Sequence, residues 1–130
     1  MGIREAMDFL INNFDKLGLK NAALYLYDKP VRCGLKINEK LPDIIYLRCV
    51  VKNNELYIIS KERQNCSIEN IYNRSELPRE KMGYISYPIF CNNYLFGILV
   101  CGVSRGMIDA GEFISFQLGR SVYLNWPFTE

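Results

Sequence analysis

The chain contains no histidine among its 130 residues. This absence excludes, within the chain itself, a Ser–His–Asp triad, a Cys–His catalytic pair, an axial histidine for haem and a histidine-based zinc site. Carboxylate, thiol or lysine chemistry would still be possible. We nevertheless expect no catalytic residues, no metal site and no cofactor, because no other arrangement of reactive side chains stands out.

The sequence also lacks a dominant charge and a long apolar run. Its 16 basic and 14 acidic residues give a net charge of +2, without the basic stripe that binds nucleic-acid phosphates. No apolar run approaches the ~18 residues of a membrane-spanning helix, and the N-terminus has no hydrophobic signal-peptide core. We therefore expect a cytoplasmic protein without nucleic-acid or membrane partners.

The five cysteines include no C-x-x-C pair of the kind used in zinc and redox sites. Cys49 and Cys101 lie in apolar segments and are expected to act as small buried hydrophobic residues. Cys33 follows Arg32, whose charge would favour a thiolate, so it is the better candidate for a reactive thiol. The odd number of cysteines favours free thiols, as in the cytoplasm.

The length and the 49% apolar content indicate one domain spanning residues 1–130. A helix is predicted over residues 2–17, where apolar residues recur at helical spacing before Gly18. The residues of this stripe are Ile3, Met7, Leu10, Phe14 and Leu17. A second helix is predicted over 109–125, with Asp109 as its N-cap.

Alternating patterns predict strands over residues 21–28, 44–52, 55–61, 84–90 and 94–103. The first of these is apolar on both sides, so we expect it to be central and covered on both faces. A two-residue asparagine turn is predicted at 53–54, and a turn at Cys91-Asn92-Asn93. The order of elements predicts an α+β fold: a central antiparallel sheet of about five to six strands, with N- and C-terminal helices packed on one face.

Residues 84–102 resemble the last hairpin of a GAF domain. Tyr87-Pro88-Ile89-Phe90 is similar to its apolar-Pro-Leu-apolar strand, and Leu95-Phe96-Gly97-Ile98-Leu99-Val100 to its apolar-Gly-apolar-Leu strand. Residues 113–119 resemble the final helix of a GAF-like branch found beside diguanylate cyclase (GGDEF) domains in bacterial signalling proteins. The order of elements fits the family over nearly the whole chain; a PAS-like or profilin-like sheet is the alternative.

The resemblance implies a non-enzymatic sensory or regulatory module that controls a linked or partner output domain, as a homodimer through its terminal helices. A ligand would lie on one sheet face beneath residues 61–82, which we call the lid. The lid lacks the Asn-Lys-x-x-x-Phe-x-x-x-Asp-Glu pattern of cyclic-nucleotide binders. Neither haem nor a bilin is expected, because no histidine is present beside Cys66 or elsewhere.

Alternation along the strands nominates four aromatic residues as the lining of this ligand site: Tyr25, Tyr27, Tyr84 and Phe96. Three lid arginines are nominated as anchors for a carboxylate or phosphate: Arg63, Arg74 and Arg79. The alternatives remain open, because aromatic residues are ordinary strand formers and lid arginines are commonly solvated partners of nearby glutamates.

Two other functions compete with the sensor. The cysteines admit a thiol-dependent reductase, resembling the GAF-like enzymes that reduce free methionine sulfoxide. A protein-interaction module without a small ligand is the other alternative. A sheet face filled by side chains would favour interaction, whereas an empty pocket of roughly a few hundred Å³ would favour sensing.

Overall fold

The computed structural model describes residues 8, 12, 20–33, 41–53 and 55–126. The helix expected over 2–17 lies outside these residues, apart from the exposed Asp8 and Asn12. The described elements, in chain order, are β1 (Ala22–Arg32), β2 (Ile44–Lys52), β3 (Glu55–Ile58), β4 (Asn65–Ser67), β5 (Tyr84–Cys91), β6 (Tyr94–Gly102) and α1 (Arg105–Asn125). Single 3-10 turns at Lys61–Arg63 and Ile68–Asn70 flank β4.

The six strands form one antiparallel sheet in the order β3-β2-β1-β6-β5, and β4 pairs with the start of β2. The predicted antiparallel α+β class is therefore confirmed, together with the C-terminal helix and the central position of β1. No described helix is long and apolar enough to cross a membrane.

Asparagine makes both predicted hairpin turns possible. Asn53 has φ 51° in the turn where Lys52 of β2 pairs with Glu55 of β3. Asn92 and Asn93 have φ 50° and 67° between the paired residues that end β5 and begin β6. These left-handed conformations match the right-handed twist of the flanking strands, and asparagine adopts them at low cost.

Several element boundaries differ from the sequence prediction. The dipeptide Lys29-Pro30 does not end β1, which continues to Arg32. The pairing of β1 with β6 is irregular between Leu26 and Val31 and continues at Val31 and Arg32. Proline has no backbone N–H group to donate to a neighbouring strand. It is tolerated at this point because the irregular stretch requires no such hydrogen bond.

The helix α1 begins four residues earlier than predicted. Ser104, not Asp109, is its N-cap: the Ser104 Oγ accepts a hydrogen bond of 3.1 Å from the backbone N–H of Met107. Asp109 is exposed one turn into the helix. The predicted Asp109-to-Glu112 capping box is wrong, because the serine sits directly before the first helical residue and satisfies the free N–H group first.

Each face of the sheet carries its own apolar cluster. On the helix face, where α1 packs, the buried residues include Leu24, Leu26, Cys49, Phe96, Leu99, Met107, Ile114, Leu118 and Val122. On the opposite lid face they include Ala23, Tyr25, Tyr27, Leu47, Val50 and Val100, together with Cys66, Ile71 and Leu77 of the lid. The lid therefore lies over the sheet face opposite α1, as the sequence predicted.

The helix α1 packs chiefly on β5, and glycines allow the close approach. A Cβ atom added at Gly119 would overlap the backbone of Phe90, and one at Gly111 would overlap the ring of Tyr87. Two hydrogen bonds join the same surfaces: the Tyr87 hydroxyl donates to the Met107 carbonyl at 2.9 Å, and the Ser115 hydroxyl donates to the Pro88 carbonyl.

We predict that Gly119→Ala destabilises the protein although alanine favours helix. The added methyl group meets backbone, which cannot rotate away, so the free energy of unfolding should fall by about 1–3 kcal/mol. Ser121→Ala, on the same helix without such a contact, should change it by less than about 0.5 kcal/mol. Urea unfolding followed by circular dichroism measures both; equal stability of the two variants would contradict the close packing.

Candidate functional site

The lid is held on the sheet by two of the nominated tyrosines. Tyr25 is fully buried, and its hydroxyl donates a hydrogen bond of 2.7 Å to the carbonyl of Ile71. The hydroxyl of Tyr84 donates to the carbonyl of Pro78 near the end of the lid. Burial raises the pKa of Tyr25 and raises that of Tyr84 to about 12, so both hydroxyls keep their protons as donors. These two residues attach the lid.

The lid is also braced internally by a carboxylate shared between two of the nominated arginines. The guanidinium of Arg74 donates to both carboxylate oxygens of Glu76 at 3.0 Å, and to the carbonyls of Asn65 at 3.0 Å and Arg63 at 2.5 Å. Arg63 lies 2.9 Å from the same carboxylate. Arg74 therefore has its donors occupied within the protein.

The three nominated arginines do not form one anion clamp in the structure. Arg63 and Arg74 meet at Glu76, whereas Arg79 is exposed and pairs with no carboxylate of the described residues. None of the three is among the described residues that line the pocket at the lid edge. The alternative interpretation, in which lid arginines pair with nearby glutamates, describes Arg63 and Arg74.

That pocket, of about 240 Å³, lies where the edge of the lid meets the sheet. It is lined by Tyr27, Leu41, Ile68, Ser86, Tyr87, Pro88, Leu95 and Ile98. These residues come from the lid, from strands β1, β5 and β6, and from the segment before β2. The sequence placed a pocket between the lid and these three strands, and Tyr27 is the one nominated residue that lines it.

Among the residues that line this pocket, Tyr27 carries a buried polar group. Tyr27 is 2% exposed, and its hydroxyl oxygen has no hydrogen-bond partner among the described residues. Burial, and secondarily the nearby Cys33, raises the pKa of Tyr27, so the group is a neutral phenol. The hydroxyl of Ser86, by contrast, accepts a hydrogen bond of 2.6 Å from Tyr72.

Phe96 lies on the opposite face of the sheet, so its nomination for the lid face is wrong. Its ring packs at centroid distances of 5.5 Å from Trp126 and 6.3 Å from Tyr123, on the helix face. The cause is a bulge in β6. Leu95 and Gly97 lie opposite successive residues of β5, Phe90 and Ile89, so Phe96 is the extra residue of β6 at this point. The extra residue reverses the alternation, so Leu95 takes the lid-face position.

The other seven lining residues were not nominated from the sequence: Leu41, Ile68, Ser86, Tyr87, Pro88, Leu95 and Ile98. For Leu95 the available signal was Gly97, since a glycine inside a strand is a common mark of a bulge. Had the alternation been reversed at this glycine, Leu95 would have replaced Phe96 in the predicted lining. Nothing local in the sequence identifies Ser86, whose place depends on where the lid ends.

A second concavity, of about 620 Å³, lies where the ends of β1 and β2 meet the start of the lid. Its lining is polar and mixed in charge: Asp28, Tyr46, Arg48, Lys61, Glu62, Gln64 and Asn65. No residue nominated from the sequence lines it. Within the described part of the chain, no group of three or more cysteine and carboxylate side chains is placed to hold a metal ion.

The cysteines fall into two groups. All five are free thiols; Cys49, Cys66 and Cys101 are buried, whereas Cys33 and Cys91 are half-buried. Burial raises the pKa of Cys49 and of Cys101 to about 12, although the charge of Arg48 opposes this for Cys49. These two thiols stay protonated at neutral pH and are therefore poor nucleophiles.

Searches against profiles of known protein families, curated proteins and solved structures returned no match for this chain.

We predict that the Arg74–Glu76 pair makes the stability of the protein depend on pH. The hydrogen bonds from Arg74 hold the pKa of Glu76 below its usual value. Its stabilising contribution is therefore present above the unfolded-state pKa of about 4.3 and is lost as the pH falls through the lower folded-state value. At pH 7, Glu76→Gln should lower the free energy of unfolding by about 1–3 kcal/mol.

The measurement is urea unfolding of wild type and Glu76→Gln between pH 7 and pH 3. The difference between the two proteins should shrink as the pH falls, because wild-type Glu76 then becomes neutral as well. Glu69→Gln, an exposed position in the same lid, serves as the control and should behave as wild type throughout. A difference for Glu76→Gln that is constant with pH would show that the charge of Glu76 has no role.

Proposed function

We propose that the chain is a non-enzymatic regulatory module that binds a small, mainly apolar ligand at Tyr27 and controls a linked or partner signalling domain as a homodimer. The observation that carries this proposal is that Tyr27, which lines the 240 Å³ pocket, has a buried hydroxyl with no hydrogen-bond partner among the described residues. A buried hydroxyl without a partner costs about 1–3 kcal/mol. A ligand with one polar group would offset that cost.

The walls of the pocket indicate the kind of ligand. Leu41, Ile68, Leu95 and Ile98 contribute apolar surface, with Tyr27 and Ser86 as polar groups. A cavity of about 150 Å³ holds one benzene ring, so this pocket fits a neutral compound of one or two rings. The absence of the three arginines from its described lining argues against a carboxylate or phosphate as the main recognition group.

Strand β5 supplies a route from this pocket to α1. Its Ser86 lines the pocket, and the next two residues are joined to the helix: Tyr87 through the Met107 carbonyl, and Pro88 through the Ser115 hydroxyl. A ligand that shifts β5 would therefore shift α1, provided that it binds one arrangement better than the other.

The thiols favour this role over that of a thiol-dependent reductase. Such an enzyme needs an attacking thiolate and a second, resolving thiol within reach. Cys49 and Cys101 are held protonated by burial, Cys66 is buried on the lid face, and the half-buried Cys33 and Cys91 pack against opposite faces of the sheet.

A protein-interaction module without a small ligand is the second candidate. The lid face beneath the centre of the lid is filled: Tyr25, Leu47, Val50 and Val100 are fully buried. The outer side of α1, in contrast, exposes two phenylalanines, Phe113 and Phe116. Both candidates thus include association through α1.

We further propose a GAF-like arrangement in which a helix over residues 2–17 packs beside α1. The supporting observation is that Leu24, Leu26, Cys49 and Val51 of β1 and β2 are buried on the helix face, although α1 lies chiefly over β5 and also on β6. Another apolar element must cover that half of the face. The stripe of Ile3, Met7, Leu10, Phe14 and Leu17 is suited to that position.

We predict that Leu10→Ala lowers the free energy of unfolding by about 2–5 kcal/mol, the usual cost of removing a buried leucine side chain. Asn12→Ala changes a position on the opposite side of the same predicted helix, which is exposed, and should have little effect. Urea unfolding of both variants tests the proposal. Wild-type stability of Leu10→Ala would contradict it.

For the pocket, we predict that Tyr27→Phe leaves the protein at least as stable as wild type and changes what it binds. Indole has an N–H group that can donate a hydrogen bond to the hydroxyl oxygen of Tyr27. Indene has a similar shape but no such donor. Wild type should bind indole about 3–10-fold more tightly than indene, the contribution of one hydrogen bond. Tyr27→Phe should lose this preference.

Titrations followed by amide chemical shifts in two-dimensional NMR measure both the affinity and the place of binding. The shifts should concentrate at Ser86, Leu95 and Ile98. Tyr57→Phe is the matched control, because the hydroxyl of Tyr57 is bonded to Glu55 at 2.9 Å on β3, away from the pocket. A preference for indole that persists in Tyr27→Phe, or shifts elsewhere in the protein, would contradict the proposed site.

A further inference from the structure

Four large apolar side chains of α1 are exposed, from the first turn of the helix to the last. Ile108, Phe113, Phe116 and Leu124 are 64%, 62%, 59% and 68% exposed. Large apolar side chains scattered singly are common on protein surfaces, but four on one helix form a patch that we take as a candidate interface.

A row of residues spaced four apart crosses this patch: Ile108, Glu112, Phe116, Arg120 and Leu124. Residues at this spacing form a ridge on a helix surface. All five are exposed. The row is centred on Phe116. Its nearest members on either side, Glu112 and Arg120, carry opposite charges, and its outer members, Ile108 and Leu124, are apolar.

We propose that a second copy of the chain docks on this ridge in the antiparallel direction, with the two-fold axis at Phe116. Positions equally far before and after Phe116 then face each other. The Phe116 rings of the two copies meet at the centre, and Glu112 of each copy faces Arg120 of the other. Such an interface uses the same patch on both copies, as two-fold symmetry requires.

The charges select this orientation and this partner. In a parallel pair centred on Phe116, each Glu112 would face its own counterpart and each Arg120 likewise, which is repulsive. Within the described residues, neither side chain forms an ion pair that would satisfy it in the single chain. Ridges at this spacing pack into one another with helices crossing at about 50°, which brings the central residues closest.

This inference rests on the association included in the proposed function, but it does not depend on the Tyr27 pocket. A dimer of the wrong orientation would contradict the inference alone. A protein that stays monomeric would contradict the proposed association as well, and would leave the tests of ligand binding unaffected.

The first test is a charge exchange followed by sedimentation equilibrium at low ionic strength. Glu112→Arg and Arg120→Glu each convert two attractive pairs into two repulsive ones, so each should weaken dimerisation about tenfold. The double variant E112R/R120E restores both pairs and should recover the wild-type dissociation constant. Both altered positions, 112 and 120, are exposed, and circular dichroism checks that each of the three variants keeps the fold. Failure of the double variant to recover would overturn the pairing.

The second test traps the orientation with a disulfide. In a background of Cys33→Ser and Cys91→Ser, Glu112→Cys and Arg120→Cys variants are oxidised separately and as a mixture. Positions 112 and 120 are about 12 Å apart along one helix, so the antiparallel dimer cross-links only in the mixture, because a disulfide needs Cα atoms within about 7 Å. Cross-linking of Glu112→Cys with itself would show a parallel pair.

Two results together would overturn the proposal: a wild-type protein that stays monomeric at high concentration, and a strong loss of stability in Phe116→Asp. They would show that the chain's own N-terminal segment covers the patch. Weaker dimerisation of Phe116→Asp with unchanged stability is the result we expect.

Discussion

The burial of β1 on both faces is the constraint on which the other elements depend. Leu24, Tyr25 and Leu26 are consecutive residues that point alternately to the two faces, and all are at most 1% exposed. A strand of this kind cannot lie at an edge or on a half-solvated sheet. The sheet must carry β2 and β6 on either side of it, α1 on one face and another cover on the other.

The second cover is the lid, a segment with little regular structure. Its backbone polar groups need partners that helices and strands would otherwise supply. Arg74 donates to two lid carbonyls, and Tyr25 and Tyr84 each donate to another. Tyr25, Tyr84 and Arg74, nominated for a ligand, thus build the lid, whereas Tyr27, at the edge of the lid, has a hydroxyl with no partner among the described residues.

The strands, the asparagine turns and the lid's position could be predicted because each follows from local pattern. The two-sided apolar character of residues 21–28 was enough to require a cover, and residues 61–82 formed the long unpatterned segment that could provide it. The side to which Phe96 points could not be obtained in this way, since one bulge residue reverses all later alternation. The Arg74–Glu76 pair depends on the tertiary path of the lid. The sequence alone therefore does not decide whether Arg74 binds an anionic ligand or pairs with a glutamate within the lid.

In the proposed function, β5 links the pocket to α1, so that binding at the pocket would alter the helix surface that a second copy would contact. The central claim is that Tyr27 presents a hydroxyl group to a small ligand. A high-resolution crystal structure of the protein grown with indole tests it most directly. We predict indole in the pocket, with its nitrogen about 2.7–3.2 Å from the Tyr27 hydroxyl oxygen. An empty pocket, with that hydroxyl bonded to a group of the protein itself, would contradict the claim.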